Sequence, residues 1–209
     1  MLTSGGHGAS GQKGVGLGEA WDYDPASVVK EAGQHVGLKN QGATCYMNSL
    51  LQQLYHVPSF SEPLLGLSPQ TGGFIENGIE SLSAEDQVLF QLQVLFASLR
   101  VSQRQYYDTL PFCSVFKDYD GQPTRLAEQK DVNEFCTQLF GKLEGSSAGA
   151  GEVINKVFGG SLVYQIISSR DCEHTSERTE PFLVLTAEVQ NKESLEESLQ
   201  LYVAGEMLT

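Results

Sequence analysis

Basic side chains are scarce in this chain. Thirteen Lys and Arg stand against 26 Asp and Glu, a formal net charge of −13 over 209 residues. Nucleic acid is a poor partner for such a surface, because phosphates would be repelled rather than neutralised. Cysteine is sparse too. Four scattered residues, Cys45, Cys113, Cys136 and Cys172, do not make a disulfide framework in a chain this long. No stretch approaches the apolar length of a membrane span, so no membrane association is expected. The N-terminus lacks a basic region followed by an apolar run, so no signal peptide is expected and the cytosol or nucleus is the default. Histidine occurs only at 7, 35, 56 and 174.

What is present is enough for one ordinary domain. The apolar fraction of 40% supports a core and argues against wholesale disorder. Residues 1 to about 18 are rich in Gly and Ser and read as a flexible tail. A short helix is expected around Asp24–Ala32, with Pro25 tolerated in its first turn. After Cys45, the residues Tyr46, Leu50, Leu51, Leu54 and Tyr55 recur at helical spacing until Pro58 stops the run. Gly66–Gly78 is loop-like. Ser83 and Asp86 resemble a capping box, and Val88, Leu92, Leu95, Phe96 and Leu99 make an apolar stripe, the pattern of a core helix. Tyr106–Phe116 is ambiguous and compatible with a helix broken near Pro111, and Asp118–Thr124 is a turn around Asp120-Gly121. A second clear helix is expected over 128–144, with Val132, Phe135, Cys136, Leu139, Phe140 and Leu143 on one face and a Gly/Ser cluster at 145–151 ending it. Val157–Ser168 and Phe182–Val189 read as strands, and Ser194 with Glu197 opens a last helix through about Val203. Helices first and strands later is an α+β pattern.

One segment carries chemistry. A Gly- and Asn-containing loop delivers Cys45 to the first turn of a helix, where unpaired N–H groups and the dipole favour thiolate, the nucleophilic form. Gly42 lets the loop approach a substrate backbone closely. Asn40, five residues before Cys45, can turn an amide N–H toward an oxyanion beside the sulfur. The other cysteines read as small buried hydrophobes.

The string Gly37–Leu54, GLKNQGATCYMNSLLQQL, resembles over some eighteen consecutive positions the cysteine box of the ubiquitin-specific proteases, papain-like cysteine peptidases. By position the resemblance makes Cys45 the nucleophile, Asn40 the oxyanion-hole side chain, and Gln41 to Thr44 the loop under the ubiquitin tail. Glu128–Phe135, EQKDVNEF, is similar to the family's Gln-Gln-Asp-Ala-x-Glu-Phe box, with Lys130 and Val132 departing from it. The Asp of that box binds the ubiquitin tail. Here it is Asp131, with Gln129 assigned to the same role. Phe158–Leu162, Glu180–Phe182 and Ser194–Leu199 are similar to later family segments, so the resemblance runs from about Val36 to Thr209. It implies a papain-like α+β fold with a helical thumb followed by the first strands of the fingers and palm. It also implies ubiquitin and ubiquitinated proteins as partners, and an acidic surface suits ubiquitin's arginine-bearing tail.

Two departures shape the expectation. Where many relatives carry a Cys-x-x-Cys pair, this chain has Cys172-Glu173-His174, which does not complete a tetrahedral zinc site, so neither metal nor other cofactor is expected. The family's histidine box, His-x-Gly-His-Tyr, is matched by none of the four histidines. The expected organisation is a Gly-rich N-terminal segment over 1–33 and a partial catalytic domain over 34–209, truncated before the histidine box. The expected activity is hydrolysis after ubiquitin's C-terminal glycine, by family, with this chain alone inactive. The alternatives are a short form that binds ubiquitin or a partner without cutting it, and a helical scaffold with a coincidental cysteine box.

Overall fold

The structure, a computed structural model, describes residues 28–68, 78–168 and 175–205. The N-terminal tail, Cys172 and His174 lie outside the described residues. Of the helix expected at Asp24–Ala32, the described part is not helical: Ala32 lies in a turn, and the residues before it pair with the chain around Arg104. Val29 bridges Arg104 antiparallel, and Lys30 N–H donates to the Gln103 carbonyl at 2.8 Å.

Strand β1 (Gly37–Leu38) leads through the Asn40–Thr44 loop into helix α1 (Cys45–Tyr55). Tyr46, Met47, Leu51 and Leu54 are its buried side, as the spacing predicts. Pro58 does not merely stop the run. It opens α2 (Pro58–Gly66), where a residue without an N–H loses nothing in the first turn. A 3-10 turn (Ile79–Ser81) precedes α3 (Ala84–Val101). The Ser83 hydroxyl caps α3 by accepting from Asp86 N–H, and all five residues of the predicted stripe are buried. Asp86 is buried as well, and its carboxylate accepts from the backbone N–H and hydroxyl of Ser147 at 2.8 and 2.9 Å. The cap therefore also ties down a distant loop.

Strand β2 (Tyr106–Tyr107) pairs parallel with β1, and α4 (Leu110–Val115) follows with Pro111 in its first turn. Proline here starts a helix rather than breaking one. The turn at Asp120-Gly121 forms as expected, closing a bridge between Lys117 and Pro123. Helix α5 (Val132–Glu144) begins four residues later than the sequence suggests, because Asp131 is its N-cap. Phe135, Leu139, Phe140 and Leu143 are buried, Cys136 is half-buried and Val132 is exposed, since the first turn projects past the core.

The Gly/Ser cluster ends α5 at Glu144 as expected, but its last residues, Ala150 and Gly151, already open a further helix, α6 (Ala150–Phe158), whose Ile154 is buried. Val157 and Phe158 therefore end a helix, and β3 is Gly160–Ile167. Its antiparallel partner β4 is Thr175–Phe182, not Phe182–Val189. Helix α7 (Leu195–Tyr202) opens at the predicted Ser194 cap.

The core is helical. The α3 helix packs on α2, α4 and α5, and Phe60 of α2 meets the rings of Phe96, Phe140 and Phe158 at 5.4–6.3 Å between centroids. Helices around a core with small separate sheets make this an α+β fold.

Candidate active site

The loop before α1 is shaped by one side chain. Asn40 Oδ1 accepts from Gly42 N–H at 3.0 Å, Thr44 N–H at 3.1 Å and the Thr44 hydroxyl at 3.0 Å. Three donors on the oxygen fix the plane of the amide and leave its NH₂ as the remaining hydrogen-bonding group. Thr44 Oγ1 also accepts from Gln41 N–H at 3.0 Å, so Thr44, the residue before the helix, gives no side-chain cap to α1. The first-turn N–H groups are thus not occupied by an N-cap hydroxyl, and Cys45 stands among them, exposed.

Gly42 has φ +142°, and a Cβ there would lie 2.7 Å from the Leu126 carbonyl oxygen. Ala43 N–H donates to that same oxygen at 2.7 Å. The close approach expected of Gly42 is therefore made to the chain's own backbone. Its effect is to fasten the cysteine loop to the segment that carries Gln129 and Asp131. Just behind, Tyr46 of α1 and Phe135 of α5 pack edge to face at 5.6 Å, and Phe116 meets Phe135 at 5.1 Å. The N-termini of α1 and α5 are neighbours for these reasons.

Asp131 Oδ1 accepts from Asn133 N–H at 2.7 Å and Glu134 N–H at 3.0 Å, capping α5. Both of these backbone bonds fall on one carboxylate oxygen. Asp131 and Gln129 are both exposed. Lys130 between them points elsewhere, into an ion pair with Asp118.

The remaining cysteines differ from Cys45. Burial pushes the thiols of Cys113 and Cys136 up, and the Cys113 sulfur lies 3.7 Å from that of Met47. Among the described residues no group of three His, Cys, Asp or Glu side chains is placed to hold a metal ion. His35 does not approach Cys45. Its ring packs at 5.5 Å against His56, which follows the last residue of α1. Eleven helical residues at the usual rise separate that end from Cys45 by about 16 Å.

Several residues that hold the site are silent in the sequence. Asn48 Nδ2 donates to the Leu38 and Lys39 carbonyls, and Gln52 Nε2 to that of Val36. Their spacing of four on the polar side of α1 is the one local sign. Asp108 and Thr109, some seventy residues away, bond Lys39 and Gln41 and carry no local sign. For Asp108, partial burial works to raise its carboxyl, but the Leu110 N–H, the Lys39 ammonium and the Gln41 amide outweigh this and hold it below the usual range.

Comparison with known proteins is consistent with this geometry. The family profile described as ubiquitin carboxyl-terminal hydrolase matches residues 36–202. The chain is 34% identical over 179 residues to human ubiquitin carboxyl-terminal hydrolase 34, covering 86% of this chain and 5% of that protein. It is 35% identical over 194 residues to human ubiquitin carboxyl-terminal hydrolase 24, covering 92% of this chain and 7% of that one. It is also 35% identical over 228 residues to the probable ubiquitin carboxyl-terminal hydrolase FAF of Drosophila melanogaster, with 90% and 8% covered. The chain thus spans less than a tenth of the length of these relatives. With its cysteine box and Asp131 box joined side by side, the chain belongs to the ubiquitin carboxyl-terminal hydrolase family.

Proposed function

We propose that the site takes part in cysteine-type hydrolysis of the bond after ubiquitin's C-terminal glycine, with ubiquitin and ubiquitinated proteins as partners. One observation carries the reading. Cys45 is the exposed first residue of α1, and its loop is hydrogen-bonded through Ala43 to the Leu126 backbone, just before Gln129 and Asp131. In this reading the Cys45 thiolate attacks the glycine carbonyl, forming the S–C bond. The oxyanion is held by the Asn40 amide and first-turn N–H groups. The amine leaves with a proton, and water then cleaves the thioester to release ubiquitin. Asp131 and Gln129 hold the arginine-bearing tail beside the cysteine.

The proton acceptor comes from outside the described residues, because His35 and His56 sit at the far end of α1. The same observation favours a second reading, in which the chain binds ubiquitin without cutting it. General bases contribute about 10²–10⁴-fold, so the two readings separate in a turnover assay. Cleavage of a fluorogenic ubiquitin substrate that disappears in Cys45→Ala supports hydrolysis. Ubiquitin binding without turnover supports the second reading, and absence of both refutes the proposal.

A further inference from the structure

Behind the cysteine loop lies a clamp that the reaction as described does not use. Asp108 Oδ1 accepts from Gln41 Nε2 at 2.5 Å and from Leu110 N–H at 3.0 Å, while Oδ2 takes the Lys39 ammonium at 3.1 Å. The adjoining Thr109 hydroxyl donates to the Lys39 carbonyl at 3.1 Å and lies 3.4 Å from Gln41 Nε2. Lys39 and Gln41 are the two neighbours of Asn40. We propose that Asp108 is a positioning residue of the reaction, gripping both flanks of Asn40 so that its amide N–H and the Cys45 sulfur face one carbonyl group. This rests on the function proposed above.

The argument is one of restraint. The Asn40–Thr44 loop is polar and contains a glycine, and its own hydrogen bonds set only its internal shape through Asn40 Oδ1. Internal bonds cannot set the loop's attitude toward α1. That requires partners outside the loop: Asn48 of α1 holds the Lys39 carbonyl, Ala43 N–H meets the Leu126 carbonyl, and Asp108, at the junction of β2 and α4, both packed on α3, grips the side chains on either side of Asn40. The clamp also explains why a carboxylate stands there. Three donors converge on two acceptor oxygens. An asparagine of the same shape has one oxygen, and its NH₂ would face either the Lys39 ammonium or the Gln41 amide, donor against donor. Oxyanion donors act only when held within a fraction of an ångström of their target, so a loosened loop costs stabilisation of the addition product more than ground-state binding.

The test compares ubiquitin bearing a C-terminal aldehyde with ubiquitin bearing its normal carboxylate, on the full chain. The aldehyde adds the Cys45 sulfur to its carbon, the C=O pair moves to oxygen, and that oxygen meets the Asn40 amide. Asp108→Asn should lower the preference for aldehyde over carboxylate about tenfold, while carboxylate binding stays within about twofold. In an Asn40→Ala background the same change should cost nothing further, because Asp108 acts through Asn40. Equal losses for both forms of ubiquitin, or a full loss persisting in the Asn40→Ala background, would overturn the proposal. A second readout needs no ubiquitin. In Asp108→Asn the Gly42 and Thr44 amides should exchange hydrogen about tenfold faster or more, with α3 unchanged. Unaltered protection there also overturns it. If Asp108→Asn does not fold, Gln41→Met removes the clamp from the loop side and should give both effects. A Cys45→Ala chain that still prefers the aldehyde would refute the proposed hydrolytic site, and amide exchange would decide the clamp separately.

Discussion

At the scale of single residues, the environments of the three described cysteines differ enough to predict their chemistry. Cys45 is exposed at a helix start, while burial raises the thiols of Cys113 and Cys136 and so reduces their thiolate at neutral pH. Limited alkylation followed by peptide mapping should label Cys45 first among these three. Earlier labelling of Cys113 or Cys136 would contradict the assignment of the nucleophile. Gly42 is the other residue where one atom decides the outcome. Alanine there meets both a φ of +142° and the Leu126 carbonyl oxygen 2.7 Å from its Cβ, a backbone atom with little room to yield. Gly42→Ala should destabilise the fold by about 1–3 kcal/mol, the usual cost of a strained backbone position. A thermal melt unchanged within a degree would show that the loop can move away at no cost.

At the scale of elements, Asp131 caps α5, and substitution can separate that role from the hold on the ubiquitin tail proposed for it. As N-cap of α5 it accepts two backbone N–H groups, and Asp131→Ala should cost about 1 kcal/mol of stability for that reason alone. Serine caps nearly as well but has no charge to offer an arginine. Asp131→Ser should therefore keep the melting temperature and still weaken ubiquitin binding, raising KM more than it lowers kcat where turnover is measured. Restoration of binding by serine would remove Asp131 from tail recognition and leave it as a cap.

The elements also show what the sequence can and cannot declare. The α1, α3 and α5 helices were legible because each presents an apolar stripe to one core, and Ser83 and Ser194 mark helix starts with side chains that cap locally. The helix start at Cys45 and the place of Asn40 in the loop before it were legible for a similar reason, since loop and helix are contiguous. Helix α6 was not legible, because its glycine-rich start resembles a loop and only its packing against α2 and α5 makes it a helix. Strand β4, TSERTEPF, is polar because β3–β4 is an exposed hairpin whose backbone pairing needs no buried face. The part of the site supplied by Asp108 and Thr109 depends on pairings across nearly seventy residues, which no local pattern encodes.

At the scale of the whole molecule, the buried apolar residues among those described all lie between Val36 and Ile154, within the helical part. The β3–β4 hairpin lies outside that core. Val163 is 51% exposed, Tyr164 52%, Ile166 63% and Ile167 70%, so both faces of one strand show apolar side chains. A two-stranded hairpin also leaves the outer edge of each strand open among the described residues. Exposed apolar strands with open edges recruit further strands, so the 209-residue chain on its own should self-associate as its concentration rises. Val163 and Ile167 share one face of β3, because side chains two and four positions apart along a strand point the same way. Replacing both by lysine places charge on that face without touching the helical core. The doubly substituted chain should sediment as a monomer at concentrations where the parent does not, with its melting temperature changed by no more than a degree or two. The unchanged melt is the informative part: it separates a surface that recruits chains from a core that needs the hairpin. A parent chain that stays monomeric up to high concentration would show that the apolar surface of β3 is already protected. A large fall in melting temperature in the lysine variant would mean that the hairpin belongs to the cooperative unit after all.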